Sequence, residues 1–344
     1  MPILNPPPAV AAPFPAIPGS RALCPDHLSI VHDFSASAAT HPMIDPSGFS
    51  GPCDSAIHVD HLRMTFDDEF DVLSLYDPRT KQGVWKTSLI SGPQTGPYAW
   101  DSRTLRGNRE QQIYVDPAFP GLNPAPLGLN PFSVRNGVVS IIATKTPEAV
   151  KGALWGFPYV SGMLMNQPNF AQRYGYFEIR ARLPAGKGMW PAFWLLPADG
   201  SWPPELDVLE QLGGDDIYQT VHTAQDGAHE QSGFKVRLDG ATGGFHTYGA
   251  LWTPDRVVWF LDGRETATAP TPADMHKPMY ILLNLAVGGD MPGNPDEHNT
   301  WPARFSIDYV RVYSLEPVGA QIAAPPPAAA KPARSDNNRH RGQG

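Results

Sequence analysis

Hydrophobic and polar residues alternate along several short segments of the chain. In residues 176–183 the polar Glu178, Arg180 and Arg182 alternate with apolar residues, which is a period of two. This period is typical of a β-strand with one buried face, because successive side chains of a strand point to opposite sides. Similar runs predict further strands at residues 137–144, 217–223, 256–261, 279–287 and 305–313.

The connections between these segments carry turn residues and no helical pattern. Asp262-Gly263 lies between two predicted strands, and an Asp-Gly pair favours a tight hairpin turn. No amphipathic helix longer than about two turns is predicted. Many short strands without alternating helices indicate an all-β protein, built as an antiparallel sandwich of two sheets.

Composition divides the chain into three parts. Residues 1–55 form a Pro-rich leader that we predict to be weakly structured, and residues 319–344 form a Pro/Ala-rich, basic tail that we predict to be disordered. The strand pattern lies between them, in residues 56–318. We therefore expect one catalytic or binding sandwich with two dispensable ends.

Charge and aromatic content narrow the class of partner. The formal net charge is −8, which argues against nucleic acid because a protein that binds a polyanion shows a basic face. Nine Trp residues suit a neutral polymer with apolar C–H faces. No apolar run approaches 18 residues, so no membrane span is expected.

Residues near the start leave two questions open. Cys24 and Cys53 could form a disulfide in an oxidising compartment or remain two thiols. The first 20 residues are apolar, but prolines interrupt them and no Lys or Arg precedes Arg21, so a typical secretion signal is missing. Either export uses another route, or the start is wrongly assigned, or the protein stays inside.

Three acidic residues lie within six positions of an otherwise apolar segment, Glu205-Leu206-Asp207-Val208-Leu209-Glu210. On a regular strand Glu205 and Asp207 share a face, whereas Glu210 would point into the core. Burying a lone carboxylate there is costly. A single β-bulge between Asp207 and Glu210 adds one residue and returns Glu210 to the acidic face.

Three carboxylates in one cleft could serve acid–base chemistry. Like charges at short range raise the pKa of one group, which gives a proton donor beside an ionised nucleophile. Cleavage of a glycosidic bond with retention needs such a pair. Taken alone, the acidic motif is more typical of a solvated edge strand or a calcium site than of a catalytic pair.

Aromatic residues and a histidine flank the acidic segment. Trp190 and Trp194 are four residues apart on an extended segment and therefore share a face, where an indole ring could stack on a sugar. Taken singly, each tryptophan is more typical of a core position than of a cleft. His222 follows Glu210 by 12 residues and would lie on the neighbouring strand if a short hairpin joins the two.

With these residues in view, the sequence resembles glycoside hydrolase family 16, the group of laminarinases, lichenases and agarases. The similarity rests on residues 159–197 and 203–213, and extends over roughly residues 60–315 through the motifs FDDEF, NREQQIY, LNLAVGG and IDYVRVY. Within the family, residues 85–117 and 202–213 look most like bacterial β-glycanases that trim exopolysaccharide. The resemblance implies a concanavalin-like β-jelly roll with a concave substrate cleft.

The resemblance also implies roles for individual residues. Glu205 would be the nucleophile, Glu210 the general acid/base, and Asp207 the group that hydrogen-bonds and tunes the nucleophile. The implied substrate-binding residues are Trp190, Trp194, His222, Asn108, Glu110 and Asn284. No cofactor is implied for catalysis, but many members hold a structural Ca²⁺, for which Glu69 would supply a carbonyl and Asp308 a carboxylate.

The resulting hypothesis is an endo-acting, retaining β-glycanase that hydrolyses β-1,3-glucan, mixed β-1,3/1,4-glucan or a related bacterial exopolysaccharide. A transglycosylase with the same covalent intermediate is the alternative, and a non-catalytic glucan-binding module is disfavoured because all three acids are present. The partner is a β-linked polysaccharide. We expect a monomer that works in the periplasm or outside the cell, where such polymers occur.

Overall fold

The structure is a computed structural model that describes residues 28–31, residue 59 and residues 62–317. In this part of the chain, seventeen strands account for nearly all regular structure. They are β1 Leu28–Val31, β2 Leu62–Asp68, β3 Gln112–Tyr114, β4 Phe132–Arg135, β5 Val138–Lys145, β6 Tyr159–Ser161, β7 Met163–Met165, β8 Gly175–Arg182, β9 Met189–Pro197, β10 Glu205–Gln211, β11 Asp216–Thr223, β12 Glu230–Leu238, β13 His246–Trp252, β14 Arg256–Leu261, β15 Arg264–Pro270, β16 Met279–Val287 and β17 Ala303–Pro317.

Helical structure within the described residues is limited to short turns. The α-helix α1 spans Glu148–Lys151, and single 3₁₀ turns occupy Ala99–Ser102, Arg106–Asn108, Gly152–Leu154 and Ala273–Met275. None of the described helices is long and apolar enough to cross a bilayer.

The strands form two sheets that pack face to face as a β-jelly roll. The seven-stranded sheet has the order β1-β12-β11-β10-β9-β16-β7. The ten-stranded sheet has the order β15-β14-β13-β8-β17-β5-β6-β3, with β2 paired to β17 and β4 to β5. Nearly all neighbours are antiparallel, and the pairing of β3 with β6 is parallel. The predicted all-β sandwich is confirmed.

Alternation along β9 explains how one sheet serves both the core and a cleft. Phe193 and Leu195 are fully buried against Phe177 and Ile179 of the opposite sheet. Trp194 points to the other side of β9, where it packs in a separate cluster. The seven-stranded sheet therefore contributes one face to the core and presents the other, with β10 at its centre, to a cleft.

The predicted strands agree with the observed ones in most places. Residues 256–261 and 279–287 coincide with β14 and β16, and the other predicted runs overlap β5, β8, β11 and β17 with shifted ends. The Asp262-Gly263 turn is also present, since it joins β14 to β15.

One segment within the predicted leader forms an edge strand. Residues 28–31 form β1, which pairs antiparallel with β12, with Leu28 opposite Leu238 and Val31 opposite Lys235. The segment is too short for its alternation to stand out from the Pro-rich residues around it. The boundaries at 55 and 318 stay predictions, and Cys24, Cys53 and residues 318–344 lie outside the described part of the chain.

Candidate active site

A β-bulge in β10 brings three carboxyl groups to the same face of the sheet. Against β11, Asp207 pairs with Thr220 but Glu210 pairs with Tyr218, so the register shifts between them. The two intervening residues, Val208 and Leu209, are both fully buried in the core. The predicted bulge is confirmed, and its effect is to place Glu210 on the cleft side with Glu205 and Asp207.

Glu205 stands at the start of β10, next to an indole donor. Trp202 Nε1 donates to Glu205 Oε2 at 2.5 Å. Burial and the neighbouring Asp207 carboxyl raise the pKa of Glu205 to about 8, although His222 and the Trp202 hydrogen bond act in the opposite direction. Protein groups therefore surround this carboxyl, even though part of the side chain reaches the cleft.

Glu210 has an equivalent donor on the other side of the bulge. Trp190 Nε1 donates to Glu210 Oε1 at 2.8 Å. Burial raises the pKa of Glu210 to about 7, while the Trp190 hydrogen bond and His222 lower it. Both Glu205 and Glu210 therefore keep a proton close to neutral pH, Glu205 slightly more firmly, so the pKa values do not decide which of the two is the general acid.

Asp207 is the most enclosed of the three acids, with 2% of its surface exposed. Burial and the charge of Glu210 raise the pKa of Asp207 well above its usual range. Its backbone carbonyl accepts a hydrogen bond from Trp259 Nε1 of the opposite sheet at 2.9 Å, which fixes this point of β10. Asp207 is therefore a rigidly held acid whose carboxyl group resists ionisation.

The charge state of this triad follows from the crowding of the carboxyl groups. Glu205 interacts electrostatically with both Asp207 and Glu210, and Asp207 with Glu210. Full ionisation would place three like charges in a buried site, which is strongly unfavourable. One ionised carboxylate beside protonated neighbours is the arrangement that acid-assisted nucleophilic substitution requires.

His222 lies between the acids and a second imidazole. Its Nε2 is 3.1 Å from Asp207 Oδ2, and its Nδ1 is 3.0 Å from His229 Nε2. His229 stacks on His222 and contacts the Trp202 ring, with ring centroids 5.2 Å and 4.9 Å apart. His222 lies on the strand next to the acids, as predicted, and pairs with Glu205 in the register of β10 and β11.

Trp194 and Asn284 belong to a hydrogen-bond network beside the acids. Trp194 Nε1 donates to Asn284 Oδ1 at 2.6 Å, and Asn284 Nδ2 donates to the Tyr114 hydroxyl at 3.1 Å. The network holds the indole ring and the amide of β16 in fixed orientations. Asn284 is 6% exposed, so little of it remains for a sugar.

Glu110 is saturated by groups of the protein itself. Its carboxylate accepts hydrogen bonds from the Leu105 N–H at 3.1 Å, Gln112 Nε2 at 2.6 Å and Asn108 Nδ2 at 3.2 Å. Because these donors occupy the carboxylate, Glu110 and Asn108 shape the loop at the end of the cleft. Direct contact of either residue with a substrate stays a prediction.

The two tryptophans of β9 are almost fully buried. Trp190 and Trp194 are each 7% exposed. Each uses its ring nitrogen within the site, Trp190 toward Glu210 and Trp194 toward Asn284. Their role as a floor for sugar rings stays a prediction, and the contacts that the structure describes are to the acids and their neighbours.

Sequence reasoning did not identify Trp202 and His229 as site residues. Trp202 precedes two prolines and then Glu205, a spacing that could have drawn attention to it. His229 lies in a polar stretch after β11, and the pairing of His222 with Gln231 brings this stretch to the cleft. The position of His229 in the cleft follows only from the register of β12 against β11.

The residues predicted for calcium are engaged in ion pairs on the ten-stranded sheet. The Glu69 carboxylate binds Arg311 at 2.8 Å, and Asp308 binds Arg180 at 2.5 Å. The Asp308 carboxylate is therefore not free for a cation in this conformation. The calcium site stays a prediction, and no step of the chemistry is derived through it.

Comparisons with known proteins agree with this architecture. The model of the family "Glycosyl hydrolases family 16" matches residues 131–311. The endo-1,3-1,4-beta-glycanase ExsH of Rhizobium meliloti is 46% identical over 74% of this chain and 52% of its own length. The beta-glucanase of Rhodothermus marinus is 32% identical over 74% of this chain and 85% of that protein.

Solved structures of laminarinases share this fold. The laminarinase catalytic domain of Thermotoga maritima matches with a TM-score of 0.58 and 30% identity, over 74% of this chain and 99% of that one. The chain spans about half the length of ExsH, the relative with which it shares 46% identity.

Proposed function

The chain belongs to glycosyl hydrolase family 16, and from this premise we propose that it is an endo-acting β-glycanase that cleaves with retention of anomeric configuration. The observation that carries the proposal is the bulged strand β10, on which Glu205 and Glu210 face one cleft with different indole donors. Retaining hydrolysis needs two carboxyl groups, one as nucleophile and one as general acid/base, and two carboxyl groups in separate environments can fill these two roles.

In the first step, the ionised Glu205 attacks the anomeric carbon of the bound sugar. Glu210 gives its proton to the glycosidic oxygen, the bond between carbon and that oxygen breaks, and a glycosyl ester of Glu205 forms. The Trp202 N–H stabilises Glu205 as a carboxylate before attack and after release.

In the second step, Glu210 acts as the base. Now ionised, it takes a proton from water while the water oxygen attacks the same carbon, and Glu205 leaves as a carboxylate. Two successive inversions at one carbon give net retention. The carboxyl groups of Asp207 and Glu205 share a hydrogen bond, so the proton between them can move toward Asp207 as Glu205 attacks the sugar.

The substrate class follows from the relatives and from the site. The two Rhizobium relatives are named endo-1,3-1,4-beta-glycanases, and the structural neighbours include laminarinases. We propose a β-1,3- or mixed β-1,3/1,4-glucan, or a bacterial exopolysaccharide with such linkages. The protein would act as a monomer in the periplasm or outside the cell, where such polysaccharides occur.

A substrate panel tests the proposal. The purified chain is incubated with laminarin, lichenan, barley β-glucan and a β-linked bacterial exopolysaccharide, and new reducing ends are measured together with viscosity. We expect viscosity to fall early relative to reducing-end release on at least one polymer, since endo-cleavage shortens chains from within. Glu205→Gln and Glu210→Gln serve as matched controls and should lose activity. Wild-type protein inactive on every polymer would contradict the proposal.

A further inference from the structure

The buried carboxylate of Asp207 has an oxygen without a hydrogen-bond partner. Asp207 is 2% exposed, and its Oδ2 accepts no hydrogen bond. The atom facing it is His222 Nε2 at 3.1 Å, in a contact too poorly aligned to be a hydrogen bond. Leaving a buried polar atom unsatisfied is costly, so such an atom, aimed into a cluster of donor groups, points to a further ligand.

The second imidazole fixes the orientation of His222. His222 Nδ1 lies 3.0 Å from His229 Nε2, and the two rings stack at 17°. When His222 donates from Nδ1 to His229, its Nε2 carries a lone pair on the side of the acids. Histidines that bind metals are held in this way, with the remote ring nitrogen donating to a neighbouring acceptor.

Glu205 completes a set of three donor atoms. One oxygen of Glu205, one of Asp207 and a ring nitrogen of His222 all lie within 4.8 Å of one another. Ligands about 2.0–2.1 Å from a tetrahedral Zn²⁺ are about 3.3 Å apart, so small side-chain movements bring all three into range. An imidazole among the donors favours Zn²⁺ and disfavours Ca²⁺ or Mg²⁺, which take oxygen ligands.

We propose that Glu205, Asp207 and His222 form a binding site for Zn²⁺ or a similar transition-metal dication, and that its occupancy reversibly inhibits the enzyme. Bound metal would hold the carboxylate of Glu205 and prevent its attack on the sugar. The inhibitory consequence rests on the proposed function, whereas the binding of the metal does not. Zinc and glucan should therefore exclude each other from the cleft.

Calorimetry with ZnCl₂ and the full-length protein tests the binding separately from activity. Because the chain contains 11 histidines, other zinc sites are expected, so wild type is compared with variants. We expect His222→Ala and Asp207→Asn to weaken one site by at least about tenfold. His246→Ala is the matched control, because His246 pairs with Asp262 at 2.8 Å on the other sheet.

Inhibition is measured on the glucan that wild type cleaves. Zinc should raise the apparent KM, and a chelator should restore the rate. Equal zinc affinity and stoichiometry in wild type, His222→Ala and Asp207→Asn would overturn the proposal, as would binding that glucan oligosaccharides do not weaken. If no polymer is cleaved at all, the proposed function fails, while calorimetry with and without oligosaccharide still decides whether the metal site exists.

Discussion

Trp202 Nε1 lies 2.5 Å from Glu205 Oε2, and this indole N–H is the protein donor that favours the charged form of the proposed nucleophile. The relationship accounts for how a carboxylate surrounded by protein and by other acids can ionise. Its loss should raise the pKa of Glu205 further, because a hydrogen bond to the charged form is removed.

Trp202→Phe keeps an aromatic ring against His229 and removes this donor. A hydrogen bond to a charged group contributes about 1.5–3 kcal/mol, so we expect kcat/KM to fall roughly 10- to 100-fold, with the acidic limb of the pH profile moved to higher pH. Trp155→Phe is the control, because Trp155 donates to the Pro97 carbonyl at an exposed position. Equal kinetics for the two variants would contradict the role of Trp202.

The pH profile should lie above the range of ordinary carboxyl groups. Burial raises the pKa of Glu210 to about 7 and that of Glu205 to about 8, so the pair carries one proton between these values. We expect kcat/KM to be bell-shaped with its maximum at about pH 7–8, and its limbs to report apparent pKa values of the pair. Initial rates from pH 4 to pH 10 measure this. A maximum near pH 4.5 would contradict it.

The same pKa shift predicts a cost to stability at high pH. The folded-state pKa of Glu205, about 8, exceeds the ordinary glutamate pKa of 4.5, so the folded state binds the proton more tightly. This contribution is fully present below about pH 4.5 and is lost as pH rises through about 8. We therefore expect Glu205→Gln to raise Tm, and to raise it more at pH 8 than at pH 5.

Thermal unfolding of wild type and variant at both pH values measures this difference. Glu297→Gln is the control, since the Glu297 side chain is 89% exposed and its replacement should change Tm little at either pH. A Glu205→Gln protein that is less stable than wild type at pH 8 would contradict the prediction, because it would show that the folded protein stabilises the charged Glu205 carboxylate.

Trp194 links the cleft to the buried cluster behind it. Trp194→Ala should destabilise the fold by about 3–5 kcal/mol, because a large side chain with 7% exposure is removed. It should also reduce kcat/KM by about tenfold or more if the ring contacts a sugar, which is worth roughly 1–2 kcal/mol. Trp194→Phe separates the two effects, since it retains most of the packing but loses the hydrogen bond to Asn284. Denaturant unfolding and initial rates measure both.

Alternation and spacing predicted the main features of the fold and the acidic face. The bulge after Asp207 could be inferred because an unbulged strand would bury Glu210, and burial of a lone carboxylate is unfavourable. The edge strand Leu28–Val31 could not be inferred, because four residues give too little pattern. His229 was also missed, since its position depends on the register of β12 against β11.

The assignment of Glu205 and Glu210 to their roles makes opposite predictions for the two alanine variants. Removing Glu210 takes away proton transfer, typically worth about 10²–10⁴-fold, but an activated donor such as a dinitrophenyl β-glycoside still forms the covalent intermediate. Azide needs no base and can attack that intermediate. Removing Glu205 prevents the intermediate, so azide can only attack the donor directly from the vacated side.

The decisive measurement is the anomeric configuration of the glycosyl azide that each variant forms from a dinitrophenyl β-glycoside, determined by NMR. We expect Glu210→Ala to yield the β-glycosyl azide through two inversions, and Glu205→Ala to yield the α-glycosyl azide through one. The reverse pair of products would exchange the two roles. Native hydrolysis that releases the inverted anomer first would contradict the retaining mechanism itself.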